Sequence, residues 1–167
     1  MTSSNDYQFL TRWRIKGSLE ELFSVLSDPL DYPRWWPSVY LEVCEIHPGV
    51  GGIGRELFLH TKGRLPYTLK WNLKITSMNP PHGFSFTASG DFVGRGIWTF
   101  EQKGQEVELT LDWALRAEKP ILKKFSAILK PLFSWNHRWA MKEGEASLIR
   151  ELARPRNISA PKNTPNF

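Results

Sequence analysis

KPILKKFSAILKPLFSWNHRWAMKEGEASLIREL, residues 119–152, decides how the rest of the chain is read. It is the only stretch long and periodic enough for a major helix. One apolar row runs Ile121, Phe125, Ile128, Leu132, Trp135, Trp139. A second row, Leu122, Leu129, Phe133, Ala140, Gly144, Leu148, lies beside it, so the two make one wide stripe. Pro120 suits a first helical turn, where its missing N–H costs nothing. Pro131 lies inside the pattern and predicts a kink or two abutting helices. Gly144, one turn after Ala140, costs about 1 kcal/mol against alanine in a helix interior. Its presence predicts close approach to something flat.

Working outward, the preceding chain supplies a flat partner. Tyr7 to Lys16 alternates, with Tyr7, Phe9, Trp13 and Ile15 on one face and Gln8, Arg12, Arg14 and Lys16 on the other. Ser18 to Glu21 has the S-x-x-E pattern of a capping box and opens a short helix through Leu26. Asp28-Pro29 opens a second one, which carries Trp35 and Trp36 and stops at Pro37. From Val39 onward the period is two. Six strands are expected: Val39–His47, Arg55–Thr61, Tyr67–Met78, Phe84–Ala88, Arg95–Lys103 and Glu106–Arg116. Lys103-Gly104 is a hairpin signal. Short strands in direct succession favour an antiparallel sheet. Its apolar face needs a cover, and only the 119–152 helix is adequate. The inward rings of Phe9, Trp13, Trp71, Phe84, Phe86, Trp98, Phe100 and Trp113 either fill the space beneath that helix or line a pocket.

Composition sets the remaining bounds. The 167 residues are 41% hydrophobic and 23% charged, which fits one globular domain. Eight tryptophans are a surplus for that size. Cys44 is the single cysteine, so no internal disulfide is expected and a cytoplasmic setting fits. MTSSNDYQF has no basic and apolar leader pattern, and no apolar run approaches a membrane span. The net charge is +5, of which +3 falls after Ile149 (Arg150, Arg154, Arg156 and Lys162 against Glu151). The excess therefore belongs largely to the C-terminal end, and nucleic acid is the least expected partner. Residues 1–6 read as a flexible N-terminus, 7–152 as the domain and 153–167 as a disordered basic tail.

The order of elements, the stretch from Ser27-Asp28-Pro29 to Trp35-Trp36-Pro37, the Gly-rich second turn and the terminal helix with Ala140 and Gly144 resemble the START-like (SRPBCC, helix-grip) superfamily. The closest likeness is to its polyketide cyclase/dehydrase-type branch. The resemblance covers about Tyr7 to Leu152. It implies an α+β helix-grip fold: a seven-stranded curved antiparallel sheet around a long C-terminal helix, with two short helices between strands 1 and 2. It also implies a cavity for a lipid, polyketide or quinone-like molecule, in a carrier or in an aromatase/cyclase.

Trp35, Trp36, Phe58, Trp71, Phe84, Phe86, Trp98, Trp113, Trp135 and Trp139 are the expected ligand-binding residues. Glu56, His60, Tyr67 and Arg95 are the candidates for acid/base chemistry, should the protein cyclise or dehydrate its ligand. Alternation leaves open whether Glu56, Phe58 and His60 or Leu57, Leu59 and Thr61 face inward. Arg95 is opposite in parity to Trp98 and Phe100, so an exterior position is expected; an inward Arg95, near a bulge between Gly94 and Gly96, could hold a ligand carboxylate or enolate. Gly49-Val-Gly51-Gly-Ile-Gly54 matches G-x-G-x-x-G, but a strand-like Glu56-Leu-Phe-Leu-His60 follows it. A turn at the pocket mouth is expected rather than a dinucleotide site. No two of His47, His60, His82 and His137 have metal-pair spacing. No metal or cofactor is expected. Lys123, Lys124 and Lys130 beside Trp135 would suit transient contact with an anionic membrane.

Overall fold

The computed structural model describes residues 6–155, apart from the side chains of 121–129. The expectations for residues 1–5, for 156–167 and for the side chains of Ile121 to Leu129, Lys123 and Lys124 included, lie outside the described residues.

Strand β1 (Asp6–Lys16) leads into helix α1 (Leu19–Leu26), whose N-cap Ser18 accepts from the Glu21 amide. A single 3₁₀ turn (Pro29–Asp31) and the one-turn helix α2 (Tyr32–Trp35) follow. Six strands come next: β2 (Tyr40–His47), β3 (Glu56–Lys62), β4 (Thr68–Asn79), β5 (Gly83–Gly90), β6 (Phe92–Lys103) and β7 (Glu106–Ala117). Helix α3 (Pro120–Leu152) closes the fold. It is a single helix through Pro131, which excludes the two abutting helices that were one of the alternatives at that proline. The seven strands form one antiparallel sheet in the order β1-β7-β6-β5-β4-β3-β2. This is the helix-grip arrangement.

The alternations assign the faces. Trp71, Leu73 and Ile75 of β4 and Val107, Leu109, Leu111 and Trp113 of β7 are buried, and their polar neighbours look outward. Gly96 is sterically required: a Cβ there would lie 2.6 Å from Phe86 Cε1 and from Trp113 Cε3. Both neighbouring ladders run past Gly94 and Gly96 without a register shift, so the bulge that an inward Arg95 would need is absent. Arg95 lies opposite Thr87 and Ala114 and is exposed. The Gly49–Gly54 turn serves its strands. A Cβ on Gly49 (φ +69°) would lie 2.5 Å from the Arg55 nitrogen, and β3, not a helix, follows.

Among the described residues, polar contacts at its start, middle and end hold α3 over the sheet. At its start, Asp91 accepts from the Glu118 and Lys119 amides through its carbonyl and from the Lys70 amide through its carboxylate. In the middle, Asn136 Oδ1 accepts from the amides of Arg64 (2.7 Å) and Leu65 (3.4 Å) in the β3–β4 loop. Near its end, the Arg34 guanidinium of α2 forks onto Glu151 and also meets Asp31. That last anchor presses α2 against α3. The flat object that Gly144 approaches is the Trp36 indole, not the sheet.

The helix buries a narrower face than the wide stripe predicts. Met141, Gly144, Ser147 and Leu148 are buried, and Phe133, His137 and Ala140 are partly so. Leu132 (39% exposed) and Trp135 (43%) of the first row point to solvent.

Candidate functional site

Between the sheet and α3 lies a cavity of about 200 Å³. Its floor is the aromatic face of the sheet, with Trp71, Phe84, Phe86, Phe92, Trp98 and Trp113. These rings brace one another. Trp113 stands 5.0 Å from Phe86, 5.8 Å from Phe92 and 5.9 Å from Trp71, centroid to centroid. The Trp71 indole N–H donates to Thr61 Oγ1 (3.2 Å), which donates on to the Leu69 carbonyl. The Trp71 N–H is thereby satisfied within the protein.

One end wall comes from α2 and the start of β2: Tyr32, Trp36, Val39 and Tyr40. Tyr32 donates its hydroxyl to the Leu26 carbonyl, and burial drives its pKa upward. Trp36 stacks on Trp35 at 5.6 Å, stands edge-on to Tyr40 at 5.0 Å and is only 3% exposed. The other end is built by Tyr7 and Phe9 of β1, Tyr67 before β4, and Phe133 and His137 of α3. Phe9 lies face to face on the His137 imidazole, 4.0 Å between centroids and 10° between planes. Burial, reinforced by nearby Arg138, pushes the His137 pKa down to about 4, so the ring is neutral near pH 7. Burial also pushes the Tyr67 phenol up to about 12. Lys62, Gly63 and Asn136 lie along the rim. Gly63 is close-packed there: a Cβ would fall 2.6 Å from Asn136 Cγ.

The sequence-derived candidates divide. Trp36, Trp71, Phe84, Phe86, Trp98, Trp113 and Tyr67 all line the cavity. Trp35 is buried one ring behind Trp36, and Trp139 packs beside the core with Arg64 over its face. Trp135 is on the opposite side of the helix from the cavity. Phe58, Glu56 and His60 are on the outer face of β3, because Leu57, Leu59 and Thr61 take the inner one. Glu56 pairs there with Lys74 at 2.7 Å, which holds its carboxyl below the usual range. Glu56 and His60 are therefore not an acid/base pair within the cavity, and Arg95 is outside with them. The Gly49–Gly54 turn sits at the far end of β3, against Met78, not at the cavity rim. Lys130 is drawn to the Asp6 carbonyl and the Tyr7 ring rather than projecting freely.

The reading from sequence missed His137, Asn136, Tyr32, Tyr40 and Phe92. For His137 a signal existed: it falls four residues, just over one turn, after Phe133 and as far before Met141, inside the row that faces the sheet.

No helix among the described residues is long and apolar enough to cross a membrane. Comparison with known proteins bears on the whole of this architecture. No curated protein matches the sequence. Solved structures share its fold: a protein from Thermus thermophilus (14% identity, 87% of this chain and 99% of that one, TM-score 0.69) and a START superfamily protein from Mycobacterium smegmatis (16%, 86% and 98%, 0.68). The Zhui aromatase/cyclase from Streptomyces sp. R1128 is similar to the same degree (13%, 88% and 93%, 0.67). A family model described as polyketide cyclase/dehydrase and lipid transport matches residues 9–152, from β1 to the last turn of α3. The chain thus belongs to the polyketide cyclase/dehydrase and lipid transport family.

Proposed function

We propose that the protein binds a compact aromatic or polycyclic apolar molecule between sheet and α3, and carries it rather than converting it. The observation that carries this reading is the ring-walled cavity itself. At about 200 Å³ it exceeds the ~150 Å³ that admits a benzene ring and falls short of the ~300 Å³ at which drug-sized pockets begin. That size fits about two fused rings, or one part of a larger polyketide or quinone-like ligand. The carrier role rests on where the titratable groups lie. Glu56, His60 and Arg95 are on the outer face, so the carboxylate–imidazole pair that an inward Glu56 and His60 would have formed is not available to a bound molecule. A cytoplasmic setting belongs to the same reading, supported by the free, exposed Cys44 thiol.

The test is titration with naphthalene, followed by quenching of tryptophan fluorescence, since Trp36, Trp71, Trp98 and Trp113 all border the cavity. Saturable 1:1 quenching is expected, abolished by Leu69→Trp, which fills the space, and unchanged in Glu56→Gln or Arg95→Gln. Absence of quenching up to the solubility limit, together with a ligand-free mass for the protein purified without detergent, would refute the reading. A cyclase or dehydratase reading retains one observation in its favour, the presence of His137 and Tyr67 within the cavity. Recovery of a chemically altered product after incubation with a polyketone substrate would establish that reading in place of the carrier.

A further inference from the structure

A helix that packs one side on a sheet is expected to be polar on the other. The outer side of α3 is not. With Trp135 as the centre line and ~100° per residue, Leu132, Trp139, Ala146 and Ile149 all lie within about 60° of it, on the side turned from the cavity. Leu132, Trp135 and Ile149 are 39%, 43% and 47% exposed. The stripe runs about 25 Å along the helix axis. Two exposed cations stand inside it, Arg138 about 60° and Lys142 about 20° from the centre line. Arg64 of the β3–β4 loop adds a third, held over the Trp139 ring at 5.9 Å. Among the described residues none of these three cations makes an ion pair. The nearest acids on the helix, Glu143 and Glu145, lie about 80° to either side and are half-buried. Lys130 takes no part, because it turns to the Asp6 carbonyl and the Tyr7 ring.

We infer that this face lays α3 lengthwise on an anionic phospholipid bilayer. Charge selects that occupant. A second copy of the chain would set one cationic face against another. A dry protein interface would strip water from Lys142, near the middle of the stripe, and leave its ammonium unpaired. At a bilayer surface the same arrangement is favourable. Trp135 sits at headgroup level, Leu132 and Ile149 reach toward the acyl chains, and Arg138, Lys142 and Arg64 extend along their apolar stems to the phosphates. A convex helix face needs no matching groove there. The inference does not rest on what the cavity holds, since the stripe is on the opposite side of the helix.

Co-sedimentation of the full chain with vesicles tests this. Vesicles of equimolar phosphatidylcholine and phosphatidylglycerol are compared with phosphatidylcholine alone. Binding is expected to the first and not to the second, and should weaken as salt is raised. Arg138→Gln with Lys142→Gln should weaken it at least about tenfold. Trp135→Gln should weaken it about fivefold through lost apolar burial. All three positions are exposed, so Tm should stay unchanged. Arg12→Gln with Arg95→Gln removes the same charge from the outer face of the sheet and should leave binding as in wild type. Equal loss in that control would overturn the inference, because net charge and not the α3 face would then govern binding. So would unchanged binding by the α3 variants, equal binding to the two kinds of vesicle, or no binding at low salt. A dimer in analytical ultracentrifugation that Trp135→Gln dissolves would assign the face to a second copy instead. None of these results bears on naphthalene quenching, so the cavity reading stands or falls separately.

Discussion

Replacing Gly144 with alanine sets two effects of known sign against each other. By helix propensity alone the change should stabilise α3 by about 1 kcal/mol. The surroundings oppose it. A methyl at 144 would lie 2.5 Å from Trp36 Cη2, 2.6 Å from Cε2 and closer still to Cζ2. Carbon atoms rest near ~3.5–4.0 Å, so the ring or the helix must give by about 1 Å. Trp36 has little freedom to do so. It is stacked on Trp35, edge-on to Tyr40 and within 6.0 Å of both Trp13 and Tyr32. The helix is held by the Arg34 fork to Glu151, seven residues on. Overpacking of this kind costs ~1–3 kcal/mol. For an intrusion of this depth into a braced cluster the upper part of that range applies, so Gly144→Ala should destabilise by a net ~1–2 kcal/mol. Urea unfolding should show a lowered midpoint at unchanged slope, and Tm should fall by roughly 2–8 °C. Because Trp36 is also a cavity wall, naphthalene affinity should drop in the same variant. Trp36→Phe shortens the ring at the point of collision. The double variant should recover stability relative to the sum of the two single changes, with a coupling of ~1 kcal/mol or more. If Gly144→Ala proves more stable than wild type, the contact between helix and indole is not what requires glycine, and the reasoning fails.

Two further outcomes follow from the rim and from the buried imidazole. Asn136→Ala removes the acceptor for the Arg64 and Leu65 amides, so stability should fall by ~1 kcal/mol and hydrogen exchange at those two amides should accelerate; unchanged protection would refute the tether. His137 is neutral in the fold, its pKa lowered to about 4 by burial, whereas in the unfolded chain it takes up a proton near 6.5. Its share of stability is therefore whole above pH 6.5 and is lost as pH falls from 6.5 to 4, by up to ~3 kcal/mol; comparing wild type with His137→Gln over pH 4.5–7 isolates this slope from His47, His60 and His82, and identical slopes would refute it.

How legible each part was in the sequence depended on how one-sided its pattern is. Strands β1, β4 and β7 alternate rings and aliphatics with charges, so their faces follow at once. Strand β3 does not. Leu57, Leu59 and Thr61 compete with Glu56, Phe58 and His60, and Phe58 makes the wrong face look apolar. The neighbouring inner rows settle it: Leu57 pairs with Leu73, and Leu59 with Trp71. The helix misled in the opposite way. Its two apolar rows invite burial of both, but at ~100° per residue Trp135 sits about 200° from His137, on the far side. Counting only apolar residues also hid His137, a polar group within the row that does face the sheet. Parity placed Arg95 outside, and only a bulge at its glycine neighbours would have turned it inward. Gly96, however, is there to make room for Phe86 and Trp113, with no kink that would re-aim the arginine.

Asn136 and His137 are consecutive, yet one holds the loop at the rim while the other stands inside the cavity. Neither can be repositioned alone, because both are fixed to one turn of a stiff rod. A rotation or slide of that turn large enough to release Arg64 and Leu65 also carries the imidazole off Phe9. The loop tether and the ring stack that shapes one end of the cavity are thereby mechanically ganged: whatever loosens one loosens the other.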